Sequence, residues 1–187
     1  MATFIFDFDD TLFNAQELKR IIFNKLKEYG TSHESVERTY KELRTTKENY
    51  NLSFHRDELN TTHDFLIPET INEWFSEINF EQYLFPETRG LLEDLLSHNH
   101  TLILLTQGEA EYQNIKIKGT NISKYFQDIF IVENEKEIFL QNLTLTYPVY
   151  FINDKNSENN KIKILFPEII VIEKKEDEPL GPLLLNL

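Results

Sequence analysis

The chain has 187 residues, enough for one domain or for one domain with a sizeable insertion, and its 40% hydrophobic and 13% aromatic content excludes a disordered, solvated chain. A formal net charge of -13 would repel a phosphate backbone, which disfavours nucleic acid as a partner and leaves a small phosphorylated solute open, because local charge governs such a site. There is no cysteine, so disulfides, thiolate metal sites and a thiol nucleophile are excluded. No basic leader precedes the first apolar run and no apolar segment reaches membrane-spanning length, which predicts a soluble, cytoplasmic protein without a membrane partner.

In chain order, the first element is the apolar run TFIF (residues 3–6), which stops abruptly at Asp7, Asp9 and Asp10. Side chains alternate along a strand, so Asp7 and Asp9 point the same way, about 6–7 Å apart, while Asp10 falls outside the pair and suits a cap or turn. From about Ala15 to Leu84 the periodicity is helical and no good strand is visible. Leu18, Ile22 and Leu26 form one stripe before Gly30, a helix stop. TSHE (residues 31–34) reads as a capping box ahead of Val36, Tyr40 and Leu43, and Ile71, Trp74, Phe75 and Ile78 repeat at helical spacing, as helix packing would require.

The remainder changes character. A helical segment from Glu87 to Ser97, with Leu91, Leu92, Leu95 and Leu96 as its stripe, leads into the run TLILL (residues 101–105). Three more apolar runs follow, IFIV (129–132), VYFI (149–152) and IIVI (169–172), with helix-like segments between them. Continuous rather than alternating hydrophobicity suits strands buried on both faces, so the pattern predicts a three-layer α/β sandwich around a parallel sheet. The all-helical insertion over 15–84 looks like a lid. The charge run EKKEDE (173–178) reads as a solvated connection to the C-terminal PLGPLLLNL, whose Leu183–Leu187 tail is expected to pack on its own domain. In open α/β sheets ligands sit outside the carboxyl ends of the strands, where Asp7 and Asp9 fall. Two carboxylates there need a divalent cation or a shared proton.

FIFDFDDTLFN resembles the first motif of the haloacid dehalogenase-like hydrolases, an apolar strand followed by Asp-x-Asp-x-Thr-Leu, here Asp7, Asp9, Thr11 and Leu12. The remaining motifs follow in order: TLILLTQG supplies Thr106, Gln107 and Gly108, YFQDIFIVENEKEIFLQNL points to Lys136, and VYFINDKNSENNK supplies Asp154 and Glu158. Lys116 and Lys118 compete with Lys136 but fall in the helix expected after the second motif. Two departures are visible, Asn153 where the family has Gly and Glu158 where it usually has Asp.

The resemblance implies a Rossmann-like core over 1–14 and 85–187 with a helical cap over 15–84. It further implies a phosphatase of the Mg²⁺-dependent kind acting on a small phosphorylated metabolite. In that scheme Asp7 is the nucleophile and forms a phosphoaspartate, and Asp9 is the acid and base that serves the leaving oxygen and then water. Thr106, Gln107 and Lys136 would hold the phosphoryl group. Asp7, the backbone carbonyl of Asp9, Asp154 and, through water, Glu158 would hold magnesium. A phosphomutase of the same family, or a catalytically weak family member that binds a ligand or partner, are the alternatives. Neither the substrate nor the oligomeric state is legible in the sequence.

Overall fold

The computed structural model describes residues 1–46, 49–63, 65–175 and 178–181; the C-terminal tail Leu183–Leu187 lies outside them. Five strands form one parallel sheet: β1 (Thr3–Phe6), β2 (Thr101–Gln107), β3 (Asp128–Val132), β4 (Val149–Asn153) and β5 (Ile169–Glu173), in the order β3-β2-β1-β4-β5. β1 is central, with Phe6 opposite Leu104 of β2 on one side and Ile152 of β4 on the other. The chain therefore builds outward from β1 in both directions, which places a crevice at the carboxyl end of β1.

Alternation along the strands divides the core between the two faces of the sheet. Phe4, Phe6, Leu102, Leu104, Tyr150 and Ile152 pack in one cluster with helix α5 (Thr88–Ser97), through Leu91, Leu92 and Leu95, and with helix α6 (Ala110–Gly119), through Ile117. Leu96, counted in the predicted stripe, is exposed. Ile5, Ile103, Leu105, Val149 and Phe151 pack in a second cluster with Leu140 of α7 (Lys136–Leu140) and Ile162 of α8 (Asn156–Leu165). Helix, sheet and helix layers are the predicted α/β Rossmann-like sandwich. Among the described residues no helix is long and apolar enough to cross a membrane.

The described part of 15–84 is helical up to Leu84, which pairs in a single β-bridge with Phe13: α1 (Ala15–Lys27), α2 (His33–Thr46), α3 (Leu52–His63), α4 (Thr70–Ser76) and a 3-10 turn at Phe80–Tyr83. Gly30, at φ +85, sits in the turn between α1 and α2, a conformation that costs glycine little. The α2 cap is shifted by one residue from the predicted one. Ser32 Oγ, not Thr31, accepts from the Ser35 backbone N–H, because Thr31 is turned inward and buried, its hydroxyl without a partner among the described residues. The entry and exit of this helical segment run side by side. Asn14 N donates to Tyr83 O and Phe85 N donates to Leu12 O, at 2.7 and 3.0 Å.

His55 of α3 is 0% exposed, its Nε2 at 3.1 Å from Val36 O and its Nδ1 at 3.1 Å from the Tyr50 hydroxyl. A neutral ring donating from Nε2 and accepting at Nδ1 satisfies both partners. Burial lowers its pKa to about 4 from the ordinary 6.5. The unfolded chain then binds the extra proton between these values, so this contribution is fully present above pH 6.5 and is lost as pH falls toward 4. Between pH 7 and 4.5 wild type should lose about 2.5 kcal/mol from this group alone. Urea unfolding at the two pH values should show a correspondingly smaller acid loss in His55→Gln; equal losses would remove His55 as the source.

Candidate active site

The crevice is lined at its base by the first residues beyond the strands. Asp7 follows β1 directly, its backbone N–H donating to Ile152 O at 2.9 Å, and is 7% exposed. Thr106, 1% exposed, and Gln107 end β2, and Asp154 follows β4. All four border one cleft of about 290 Å³, together with Asp9, Lys136 and Glu158. The structure thus brings every predicted site residue to one place.

Lys136 opens α7 and is 2% exposed; its ammonium lies 2.8 Å from Asp7 Oδ1 and 3.0 Å from Glu158 Oε2, and donates to Asn153 Oδ1 at 3.1 Å. Burial opposes that charge, but Asp7 and Glu158 outweigh it and raise the Lys136 pKa. Burial raises Asp7 above the usual carboxylate range, with the Lys136 ammonium working in the opposite direction. For Glu158 the cost of burial is outweighed by Lys136 and by Lys155, 2.5 Å away, so its pKa is lowered. Asn153, the residue standing in place of the family's glycine, is fully buried and anchors Lys136, while its amide nitrogen donates to Asn159 Oδ1 at 3.0 Å.

Asp9 has a lysine of its own. Lys116 Nζ donates to both of its carboxylate oxygens at 2.6 and 2.8 Å, and Gln113 Nε2 donates to Oδ2 at 2.8 Å. Lys116 does lie in α6, as expected from its position, but it is 2% exposed and belongs to the site. Lys118, by contrast, is exposed. Gln113 was not legible as a site residue: it is one helical turn before Lys116, and only a buried polar pair at that spacing would have marked it. Asp10 adopts φ 55 and its Oδ1 accepts from the N–H groups of Ala15 and Gln16 at 3.0 and 3.3 Å, which makes it a turn and cap residue.

Asp154 is the least compensated carboxylate here. Burial, then the nearby charges of Asp7 and Asp10, push its pKa up to about 7. Thr11, itself 0% exposed, fixes it by donating from Oγ1 to Asp154 Oδ1 at 3.3 Å and accepting from its backbone N–H at 3.1 Å. No group of three His, Cys, Asp or Glu side chains among the described residues is set to hold a metal ion. Glu158, expected to act through water, has Lys136 at one carboxylate oxygen and Lys155 at the other. The other acids at the base of the cleft are Asp7, with one oxygen on Lys136, and Asp154. An under-compensated pair of acids fits a divalent cation with remaining positions filled by water or ligand oxygens.

Among curated proteins none matches this chain. Several solved structures share its fold. A haloacid dehalogenase-like hydrolase from Burkholderia xenovorans superposes with a TM-score of 0.76 at 15% identity, over 92% of this chain and 83% of that one. The magnesium-bound HAD hydrolase YfnB from Bacillus subtilis gives 0.54 at 14% identity, over 82% and 78%. L-2-haloacid dehalogenase from Xanthobacter autotrophicus, with chloropropionic acid covalently bound, gives 0.61 at 13% identity, over 92% and 77%. At these identities the likeness speaks for the fold alone. The model of one family, described as haloacid dehalogenase-like hydrolase, covers residues 4–141 of the sequence, and the chain belongs to that family.

Proposed function

We propose that the chain is a magnesium-dependent phosphomonoester hydrolase that works through a phosphoaspartate on Asp7 and acts on a small phosphorylated metabolite. The observation that carries this reading is that Asp7 and Asp9 border the same cleft while each is held by a different lysine, Lys136 and Lys116. Two neighbouring carboxylates in separate settings suit two separate roles. A halide leaves carbon without a proton, so a dehalogenase would have no use for Asp9, whereas an alkoxide leaving group needs one.

In the first step an Asp7 carboxylate oxygen attacks phosphorus, the bond from phosphorus to the ester oxygen breaks, and that oxygen takes a proton from Asp9. In the second step Asp9 takes a proton from water as the water oxygen attacks phosphorus, releasing phosphate and restoring the Asp7 carboxylate. Lys136 holds Asp7 in place and offsets charge that gathers on the phosphoryl oxygens, and Thr106 borders the same space. Magnesium would be held by Asp7, Asp154 and the Asp9 carbonyl and would supply positive charge against the phosphoryl oxygens. We read 15–84 as a cap over this cleft, because Lys19, Tyr40 and Arg44 border it from above. Whether water or a second hydroxyl accepts the phosphoryl group is read from the products: free phosphate in stoichiometric yield marks a hydrolase, and an isomeric phosphate ester marks a mutase.

Magnesium should raise the unfolding temperature of wild type, since a ligand that binds only the folded state stabilises it. In Asp154→Asn at least half of that shift should disappear; an equal shift in both proteins would remove Asp154 from the metal site. Replacement of the nucleophile in Asp7→Asn should lower turnover of every substrate by several orders of magnitude, because an amide does not readily form the acyl phosphate. Asp9→Asn should cost about 10²- to 10⁴-fold on an alkyl phosphate. On an activated aryl phosphate the same variant should give a burst of released phenol followed by slow turnover, since only its second step still needs Asp9. Equal losses on both substrates with no burst would overturn the division of roles.

A further inference from the structure

The Asp9 side chain is 30% exposed and borders the acidic cleft, whereas the two residues that hold it, Gln113 and Lys116, line a separate, smaller cavity that also touches Asp9. Both stand on one face of α6, three residues apart. Lys116 donates to Oδ1 and Oδ2 and Gln113 donates to Oδ2, so three contacts on two oxygens fix the plane of the carboxylate. The Lys116 ammonium lies 5.5, 5.6 and 5.0 Å from the centres of the Phe8, Phe13 and Tyr112 rings, a cage that leaves its charge directed at Asp9.

Gly108 supplies the clearance for Gln113. It follows β2 directly, its N–H donating to Val132 O at 3.0 Å, and its φ lies outside the left-handed region, so the position demands space rather than conformational freedom. A Cβ built on Gly108 would stand 2.6 Å from Gln113 Nε2 and 2.7 Å from its Cγ, closer than carbon contacts allow. Any side chain there would push the amide off Asp9 and off the Gln107 carbonyl, its second acceptor at 3.2 Å. Gln113 meets these acceptors at its own expense, because its Oε1 is buried with no partner among the described residues. A buried group left unsatisfied calls for a compensating role, and Asp9 supplies one.

Resting on the reading of the cleft as the phosphoryl site, we propose that Lys116 and Gln113 are positioning residues that act through Asp9, with Gly108 as the gap that admits Gln113. They fix the direction from which Asp9 meets the ester oxygen in the first step and water in the second. Asp7 has a lysine of its own, so attack on phosphorus does not depend on them. Misplacing a reacting group by about 1 Å can cost about 10²-fold in rate, which gives α6 its leverage.

Turnover of n-propyl phosphate and 4-nitrophenyl phosphate with magnesium tests this in Lys116→Met, whose thioether suits an aromatic cage, in Gln113→Ala and in Gly108→Ala. On propyl phosphate Lys116→Met should lose about tenfold or more in kcat, with KM within about threefold of wild type. Release of nitrophenol in the first turnover, where the leaving group needs little protonation, should stay within about threefold of wild type. Asp9→Asn combined with Lys116→Met should be no slower than Asp9→Asn alone, since a residue that acts through Asp9 then has nothing to act on. Gly108→Ala and Gln113→Ala should each lose about threefold or more on propyl phosphate, and the two together no more than Gln113→Ala alone. Equal losses on the two substrates, losses that multiply in either double variant, or unchanged turnover in Lys116→Met or Gln113→Ala would overturn the positioning role while leaving Asp9 its own. If wild type does not turn over propyl phosphate, or Asp9→Asn does so equally well, Asp9 is not the proton carrier and the positioning role falls with it. The Gly108 and Gln113 variants decide the matter even if Lys116→Met does not fold.

Discussion

The buried ammonium of Lys136 is the point on which the site rests. It is closed off from water and stands between Asp7, from the end of β1, and Glu158, from α8, so one charge joins the central strand to two elements on the far face of the sheet. Lys136 offsets the cost of burying both charges, with Lys155 assisting at Glu158, and removing one member of such a buried group typically costs about 3–5 kcal/mol. The arithmetic of the group also sets its appetite. Lys136 and Lys155 balance Asp7 and Glu158, so the unmatched charge is that of Asp154, which burial first and then the nearby charges of Asp7 and Asp10 drive toward its protonated form. The cleft is therefore built to take up positive charge, in a chain whose overall excess of acid would do nothing to steer it there.

The strands were legible because a strand covered on both faces must be apolar at consecutive positions, and five such runs stand clear of their surroundings. Asp7 and Asp9 drew notice because an apolar run ends in acids, but acidic turns after strands are ordinary, and only the family's first motif singled them out. Lys136 was legible only through the family's motif, since nothing in the composition of its neighbourhood distinguishes a lysine that opens a five-residue helix from one on the surface. The contribution of α6 was not legible. Its buried face carries Gln113 and Lys116, so its pattern of apolar residues is weak where its structural role is strong. The α2 cap was misplaced by one position because Thr31 and Ser32 offer the same hydroxyl and only burial separates them.

The departures from the family's motifs acquire a physical reading once the side chains are placed. A glycine at position 153 could not anchor Lys136, and Asn153 does so while tying α8 back to β4 through Asn159. Glu158 spends its longer reach on two lysines. Both changes replace backbone freedom or open coordination with a fixed polar network, which rigidifies the floor of the cleft when every member is satisfied.

The turn at Asp10 ties mechanics to chemistry. Its carboxylate caps α1 through Ala15 and Gln16, and its own backbone follows Asp9 directly, so the first helix bordering the cleft and Asp9 are separated by a single residue. The link is short: the Asp10 carboxylate holds the first two residues of α1 while the Asp10 backbone, at φ 55, carries the peptide that follows Asp9. The apolar residues that α1 turns inward, Leu18, Ile22 and Phe23, and the Asp9 end of the cleft thus hang on one side chain.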